Sequence, residues 1–507
     1  MIRRLVWPAL YLAFFCLFSW HLGGDGSPDQ RAYHLYNGYA AMSGGRPQDI
    51  APAGLQTYFY PGLDALYYRL LRALNNHPGG LSALLGIPYA LAAVCVWRTG
   101  AAIVPRSWPG REALAGAAAL FGLTGAAGFA TLGTTMSEVV PGLPLLGAIA
   151  LWVRRPGDLR LLGLAGLLAG LSVGLKLTEL PVFLGLFVAV LASGMRRPGL
   201  ALAQGAVFGA AGLCAALAVA GPWLVHNWQL TGNPVFPAYN DLFRSDLVDP
   251  GRWTDDRFKP HGLWHVLFYP AYWAFRESHA AIELNMHDPR MLAELAAIVL
   301  LLVRRAALPE ARLLALAMLV AYALWEFEFG IYRYLTAPEA LSGALILAAL
   351  AAWVPRRAAV PASLALVVAG AAAAATTKYP WWDRALPARQ AIVVNLPPIP
   401  PNALVVFLDR SALAYTIPFM PPSVTVIGAD TNLVHPGSSG RLQARIAATI
   451  EHWQGPIWGF ENGRNFPGLA AATLRFYGLR RAGGCQAITS NLEAEAGTAC
   501  PLARASP

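Results

Sequence analysis

Charge is scarce in this 507-residue chain: 38 Lys and Arg with 28 Asp and Glu make up only 13% of it. Soluble domains carry about a quarter charged residues, so a water-soluble globule is excluded as the main body of the chain. The apolar stretch from Leu5 to Trp20 is followed by His-Leu-Gly-Gly-Asp, which lacks the small-x-small pattern of a cleavage site. It reads as a retained anchor in preference to a signal peptide. His261, His265, His279 and His287 share one segment, but none has carboxylate or Cys partners at ligand spacing, and no zinc site is legible. Cysteines number only five. Cys16, Cys95 and Cys214 fall in apolar runs as packing residues, whereas Cys485 and Cys500 close a short loop in the tail, where a disulfide is expected.

What the chain has in place of charge is apolar length, with 56% of its residues hydrophobic. Uncharged runs occupy Leu5 to Leu22, Leu81 to Trp97, Ala113 to Leu132, Val139 to Val153, Leu161 to Leu175, Leu180 to Met195, Leu200 to Val225 and Ala358 to Thr377. Most approach the roughly 20 residues that a helix needs to span hydrocarbon. Three more, Met291 to Val303, Ala311 to Phe329 and Tyr334 to Val354, carry Glu294, Glu326, Glu328 or Glu339 within or beside them. Arginines orient the set, because short cytoplasmic loops hold the positive excess. Arg3 and Arg4 precede the first run, and every second connection repeats the signal: Arg98, Arg106 and Arg111; Arg154, Arg155 and Arg160; Arg196 and Arg197; Arg304, Arg305 and Arg312; Arg356 and Arg357. About eleven spans close this alternation without conflict, with the N-terminus inside and everything after Thr377 outside. Much of the net charge of +10 is thereby topology, and no nucleic-acid partner is required.

The segments assigned to the outer side are unequal: a first loop over 23–80, a second over 226–290, and a tail over 378–507. Within the tail, Ala403 to Leu408, Val424 to Gly428 and Pro456 to Phe460 read as strands. Leu442, Ile446, Ile450 and Trp453 have helical spacing, while Asn395 to Pro401 is a Pro-rich lead-in, which together suggest a small α/β domain. In the second loop, Trp264, Phe268, Tyr269, Tyr272, Trp273 and Phe275 form an aromatic segment suited to a re-entrant or interfacial helix.

The first loop opens with Asp25-Gly-Ser-Pro28-Asp29-Gln-Arg-Ala-Tyr33-His-Leu-Tyr36-Asn37. Pro28 is a good helix start, and α-helical offsets from Asp29 put Tyr33, Tyr36 and Asn37 on its face. An acid, phenols and an amide together suit a sugar, and a carboxylate just above the membrane suits a general base. Asp29 equally suits a helix cap.

The strings Asp29-Gln-Arg-Ala-Tyr33-His, Gln56-Thr-Tyr58-Phe-Tyr60-Pro61-Gly62, Gly174-Leu-Lys176-Leu-Thr, Pro222-Trp-Leu-Val-His-Asn227, Gly232-Asn233-Pro234 and Tyr332-Arg333-Tyr334 follow one another on the assigned outer side. In that order they resemble the GT-C superfamily of membrane glycosyltransferases, over roughly the first 350 residues. Relatives include the aminoarabinose and protein O-mannosyl transferases. The resemblance implies a polytopic α-helical fold of about eleven spans over 1–377, with the small α/β domain, 378–507, in the periplasm of a bacterial inner (plasma) membrane.

It further implies transfer of a sugar from a polyprenyl-phosphate donor to a lipid-linked, glycan or protein acceptor, with a first-loop carboxylate as base. By position the base is Asp29, with Asp25 as second choice. Where relatives often show two adjacent acids this chain has Asp29-Gln30, and Glu138 is a candidate for the second acid. Lys176 and Arg333 stand at outer span ends, placed either to grip the donor phosphate or to snorkel, with Glu326, Glu328 and Glu339 as possible neutralising partners of Arg333. Tyr33, Asn37, Tyr58 and Asn227 complete the expected substrate contacts. No cofactor is firmly implied, and a divalent cation stays open. A lipid-linked saccharide flippase is the alternative, disfavoured because the clearest spans are almost bare of charge at their centres.

Overall fold

The computed structural model describes residues 5–463, 466–494 and 497–505; Arg3 and Arg4 lie outside the described residues. The chain begins with α1 (Val6–Leu22), α2 (Leu35–Met42), α3 (Gly62–Leu74), α4 (Pro78–Leu84), α5 (Ile87–Ile103), α6 (Arg111–Leu123), α7 (Ala126–Ala130), α8 (Val139–Trp152), α9 (Leu159–Leu175), α10 (Leu180–Gly194) and α11 (Pro198–Thr231). Three short helices follow, α12 (Asn240–Phe243), α13 (Leu263–Leu267) and α14 (Ala271–Ala274), and then α15 (Arg290–Val303), α16 (Pro309–Glu328), α17 (Thr336–Trp353) and α18 (Ala359–Thr376). Every apolar run read from the sequence falls on one or more of these helices. Five stretches, Pro78–Ile103, Leu177–Gly194, Pro198–Thr231, Tyr332–Trp353 and Arg356–Thr376, are long and apolar enough to cross a membrane by length and composition.

Leu81 to Trp97 is divided between α4 and α5 at Leu85 and Gly86, and two further runs differ from their expected form. Ala113 to Leu132 is not one helix: it breaks at Thr124–Gly125, where a Cβ on Gly125 would lie 2.1 Å from the Glu339 carboxyl carbon. Beyond the break, the backbone N–H of Ala126 donates to Asp288, and those of Ala127 and Gly128 donate to Glu339. Carboxylates there satisfy helix-start donors that have no intrahelical partner. The second exception is α11, which continues past Val225 to Thr231 because no breaker intervenes before Gly232, at φ 75°. Its 34 residues span about 50 Å, well beyond a hydrocarbon core, so its last two turns project from the bundle.

Without a hydrophobic drive between helices in lipid, close approach depends on small residues. Gly166, Gly170 and Gly174, one turn apart on α9, meet the backbone of α11 at Phe208, Gly212 and Ala216. A Cβ on Gly170 would lie 1.9 Å from the Gly212 carbonyl oxygen. Gly170→Ala is therefore expected to separate α9 from α11 and to destabilise the protein by about 1 to 3 kcal/mol, as overpacking does. A lowered thermal midpoint in detergent checks this; an unchanged midpoint would show that the two helices separate without cost.

The tail holds β1 (Val394–Asn395), β2 (Leu404–Phe407), β3 (Thr425–Gly428), α19 (Arg441–His452), β4 (Ile457–Glu461), α20 (Leu469–Phe476), β5 (Leu479–Arg481), β6 (Gln486–Ser490) and β7 (Gly497–Arg504). The expected three strands and helix are there. They form a parallel β3-β2-β4 set, to which β7 adds antiparallel, with β6 and β5 on its far side. Cys485 and Cys500 are disulfide-bonded, as their loop suggested.

Alternation along β2 decides what covers each face. Leu404, Val406 and Leu408 pack with Leu442, Ile446 and Ile450 of α19, whereas Val405 and Phe407 pack with Leu35, Tyr36 and Ala40 of α2 from the first loop. The first loop even extends the sheet, since Ile50 pairs in parallel with Ile427 and Arg46 donates to the Val424 carbonyl oxygen. Arg31 bridges Asp383 and Glu493. The tail and the first loop thus share one core on one end of the helical bundle.

The aromatic segment of the second loop is not one helix. It forms α13 and α14, joined at Phe268 to Pro270. Tyr269 and Trp273 are fully buried, while Trp264, at 70%, and Phe275, at 76%, face outward.

Candidate functional site

The site grows from a helix that starts at Pro28 and changes register immediately. Gln30–His34 is a π-helical turn, with Leu35 N–H donating to the Gln30 carbonyl. Such turns place one extra residue per turn and are frequent at functional sites. The register change corrects the α-helical face read from sequence. Tyr33 still reaches Asp29, its hydroxyl 3.4 Å from Oδ2, but Tyr36 turns to Asp49 and Asn37 to the Gln56 carbonyl.

Asp29 occupies the cap position yet makes no capping bond. Its Oδ2 instead accepts from Nη1 of Arg333 at 2.9 Å. Burial alone would raise the Asp29 pKa; positive charge beside it, that of Arg333 above all and then Lys176, outweighs burial and holds the carboxyl below its ordinary range. Burial, and then the Asp29 charge, push the Tyr33 phenol well above its ordinary value, so it stays a donor.

Arg333 stands on a 3₁₀ turn, Tyr332–Leu335, that leads into α17. Its guanidinium lies 5.5 Å from the Tyr334 ring centroid, and on the same ring sits the Lys176 ammonium at 5.7 Å. Lys176 ends α9 and pairs with Glu138, the residue that begins α8, whose other oxygen accepts from Thr178 at 3.4 Å. Two cations thus share one phenol ring, and each is matched to one carboxylate. Glu326, Glu328 and Glu339 do not neutralise Arg333: Glu328 pairs with Arg252, Glu339 accepts from Tyr332 and backbone, and one Glu326 oxygen is buried without a partner.

Among the residues expected from sequence, Asp29, Tyr33, Glu138, Lys176 and Arg333 meet here. Asp25 lies nearby but accepts from Ser27 N–H and from both Thr135 N–H and hydroxyl, which ties the first loop to the segment before α8. Tyr58 and Asn227 join each other elsewhere: the projecting end of α11 clamps the Tyr58 carbonyl through Trp223 Nε1 and Asn227 Nδ2, both at 3.0 Å. Tyr334 was not singled out from the sequence, although the Tyr332-Arg333-Tyr334 string held its signal. His34 and Asp64 were missed outright. They touch at 2.6 Å across 30 residues, and no local pattern links them. For metals, one group of potential ligands stands out among the described residues, Glu461 with Cys485 and Cys500, and two of its three members are already bonded to each other.

The centre thus joins two ion pairs beside one phenol ring, in a chain with five stretches long and apolar enough to cross a membrane and a small sheet domain packed on the first loop. No family model and no curated protein matches the chain. Its fold is similar to that of ArnT from Cupriavidus metallidurans, seen in a crystal structure bound to undecaprenyl phosphate, with a TM-score of 0.52, 11% identity and 99% of each chain covered. The chain therefore shares the fold of that protein from end to end, the tail included.

Proposed function

We propose that this chain is a glycosyltransferase that moves a sugar from a polyprenyl-phosphate donor to a hydroxyl acceptor on the outer face of a bacterial inner membrane. The observation that carries the reading is the Asp29–Arg333 pair beside Lys176 on the shared Tyr334 ring. The lipid phosphate bound by the ArnT structure suits that pair of cations. When a phosphate takes Arg333, Asp29 is released to accept a proton from the acceptor hydroxyl. The hydroxyl oxygen then bonds the sugar's anomeric carbon as its bond to phosphate breaks. Arg333 and Lys176 stabilise the charge that builds on the leaving phosphate. The first loop and the tail, through their common core, hold Asp29 in place.

Purified protein incubated with labelled undecaprenyl-phosphate pentoses and hexoses and with source membranes tests the reading. Label should move to a lipid, glycan or protein fraction; no transfer from any donor overturns it. The side of the membrane is tested separately. Alkaline phosphatase fused after Pro507 is expected to be active, because the arginine alternation puts the tail outside. Fluorescence from a cytoplasm-only reporter at that point would mean an even number of spans.

A further inference from the structure

We propose that the His34–Asp64 pair is a second proton acceptor of the site, taking from Asp29 the proton that transfer releases. This rests on the glycosyltransferase reading of Asp29. The π turn is the first support. In a π turn residue i+5 stacks on residue i, so His34 comes onto the side of Asp29, where an α-helix would rotate it away. The Tyr33 and His34 rings lie with centroids 4.0 Å apart.

The second support is the hydrogen bonding of the imidazole. His34 Nδ1 lies 2.6 Å from Oδ1 of Asp64, which belongs to the first turn of α3. An ionised carboxylate only accepts, so the ring proton is assigned to Nδ1, and Nε2 carries the lone pair. His34 is 7% exposed and Asp64 6%, and Nε2 is buried with no hydrogen-bond partner. A buried, unpartnered basic nitrogen is costly to maintain, and its retention beside the base points to a proton-handling role. Asp64 on α3 and Tyr33 on its own helix touch the imidazole; Asp29 interacts with it electrostatically and is in turn faced by Arg333 before α17 and Lys176 after α9, and Tyr33 by Tyr334.

The third support is chemical need. Arg333 can pair with Asp29 again after the carrier phosphate leaves only if the carboxyl has lost its proton, so Asp29 must pass that proton on to restore the resting site. In the step proposed, the acceptor O–H breaks, its oxygen bonds the anomeric carbon, and the carbon–oxygen bond to phosphate breaks with its electron pair on the carrier phosphate. The proton passes to Asp29 and then to His34 Nε2. Asp29 returns to its charged form, and the imidazolium is held by Asp64 until the proton leaves to water.

His34→Asn separates this role from packing, because the amide keeps a donor for Asp64 near the Nδ1 position and lacks Nε2. With undecaprenyl-phosphate pentoses or hexoses that the wild type consumes, its kcat should fall on the order of tenfold or more at unchanged KM, and the shape of the kcat pH profile should change. Asp64→Asn leaves Nε2 in place but removes the carboxylate that holds the imidazolium, so kcat should fall at unchanged KM there as well. An unaltered rate and pH profile in His34→Asn, with Asp29→Asn inactive, overturns the proposal and leaves the glycosyltransferase reading standing. If His34→Asn fails to fold, Asp64→Asn decides alone, and an unaltered kcat overturns the proposal. A wild type that consumes no donor removes both.

Discussion

Asp29→Asn is expected to give a folded, inserted protein whose turnover is lower by a factor on the order of 100 to 10,000, the usual worth of a general base. The amide still accepts from Arg333, so the local packing survives while the proton acceptor is gone. The pH dependence sharpens the expectation. In the free protein Arg333 outweighs burial and holds the Asp29 carboxyl below its ordinary range, so the base stays ionised into acid. The acid limb of kcat/KM, which reports the free enzyme, should therefore lie below the range where an ordinary carboxylate titrates. Once donor phosphate engages Arg333, that support weakens, and the acid limb of kcat should lie at higher pH. The same sign governs stability: the contribution of the ion pair is present above the unfolded-state pKa and is lost as pH falls through the lower folded-state value. Near-normal turnover in Asp29→Asn would exclude it as the base and direct attention to Asp25, whose oxygens are occupied by Ser27 and Thr135.

The helical body was legible because lipid imposes one rule everywhere: a long run without charge must be a helix. The strands at Ala403 to Leu408, Val424 to Gly428 and Pro456 to Phe460 were legible for a related reason, since a parallel sheet covered on both faces reads as unbroken Val and Ile. β5, β6 and β7 were not, because Leu479–Arg481, Gln486–Ser490 and Gly497–Arg504 are short or polar and gain their pairing from β4 and from each other. Site residues divide the same way. Asp29, Glu138, Lys176 and Arg333 declared themselves as rare charges at the ends of apolar runs. The π turn at Gln30–His34 was invisible, since it follows from tertiary bonds such as Gln30 to Tyr67 and Thr135 and not from any local propensity. With it the faces of Tyr36 and Asn37 were misread and His34 was overlooked. Tyr58 and Asn227 carried the right kind of chemistry, but the structure places them on a clamp for the first loop, made possible by the unforeseen extension of α11.

Neutralising the cations should strike donor binding. Arg333→Ala is expected to weaken the affinity for undecaprenyl phosphate by about 2 to 3 kcal/mol, or roughly 30- to 150-fold, as loss of charge-assisted bonds in a partly dry site entails. The same variant frees Asp29 of its counter-charge, so the acid limb of any residual kcat/KM should move upward, a second signature that simple unfolding does not give. Arg333→Lys is the sharper probe, because Lys keeps the charge but not the planar two-pronged contact. It should recover only part of the affinity. Lys176→Ala needs a control, since Glu138 is almost wholly buried and would be left as an unpaired charge. Pairing it with Glu138→Gln removes that penalty, so the double variant should regain thermal stability while its lipid affinity stays low. A double variant that recovers both would make Lys176 a structural partner of Glu138 alone. Unchanged affinity in Arg333→Ala and Lys176→Ala alike would reject this centre as the phosphate site. The second loop would then be the alternative, through Arg252, Arg257, Lys259 or Arg276, of which the first three are each engaged by a carboxylate: Glu328, Asp255 with Glu283, and Asp256. An anion binding at any of those three would first have to displace a carboxylate, and Arg257, two-thirds exposed, holds its partners in the wettest surroundings of the three.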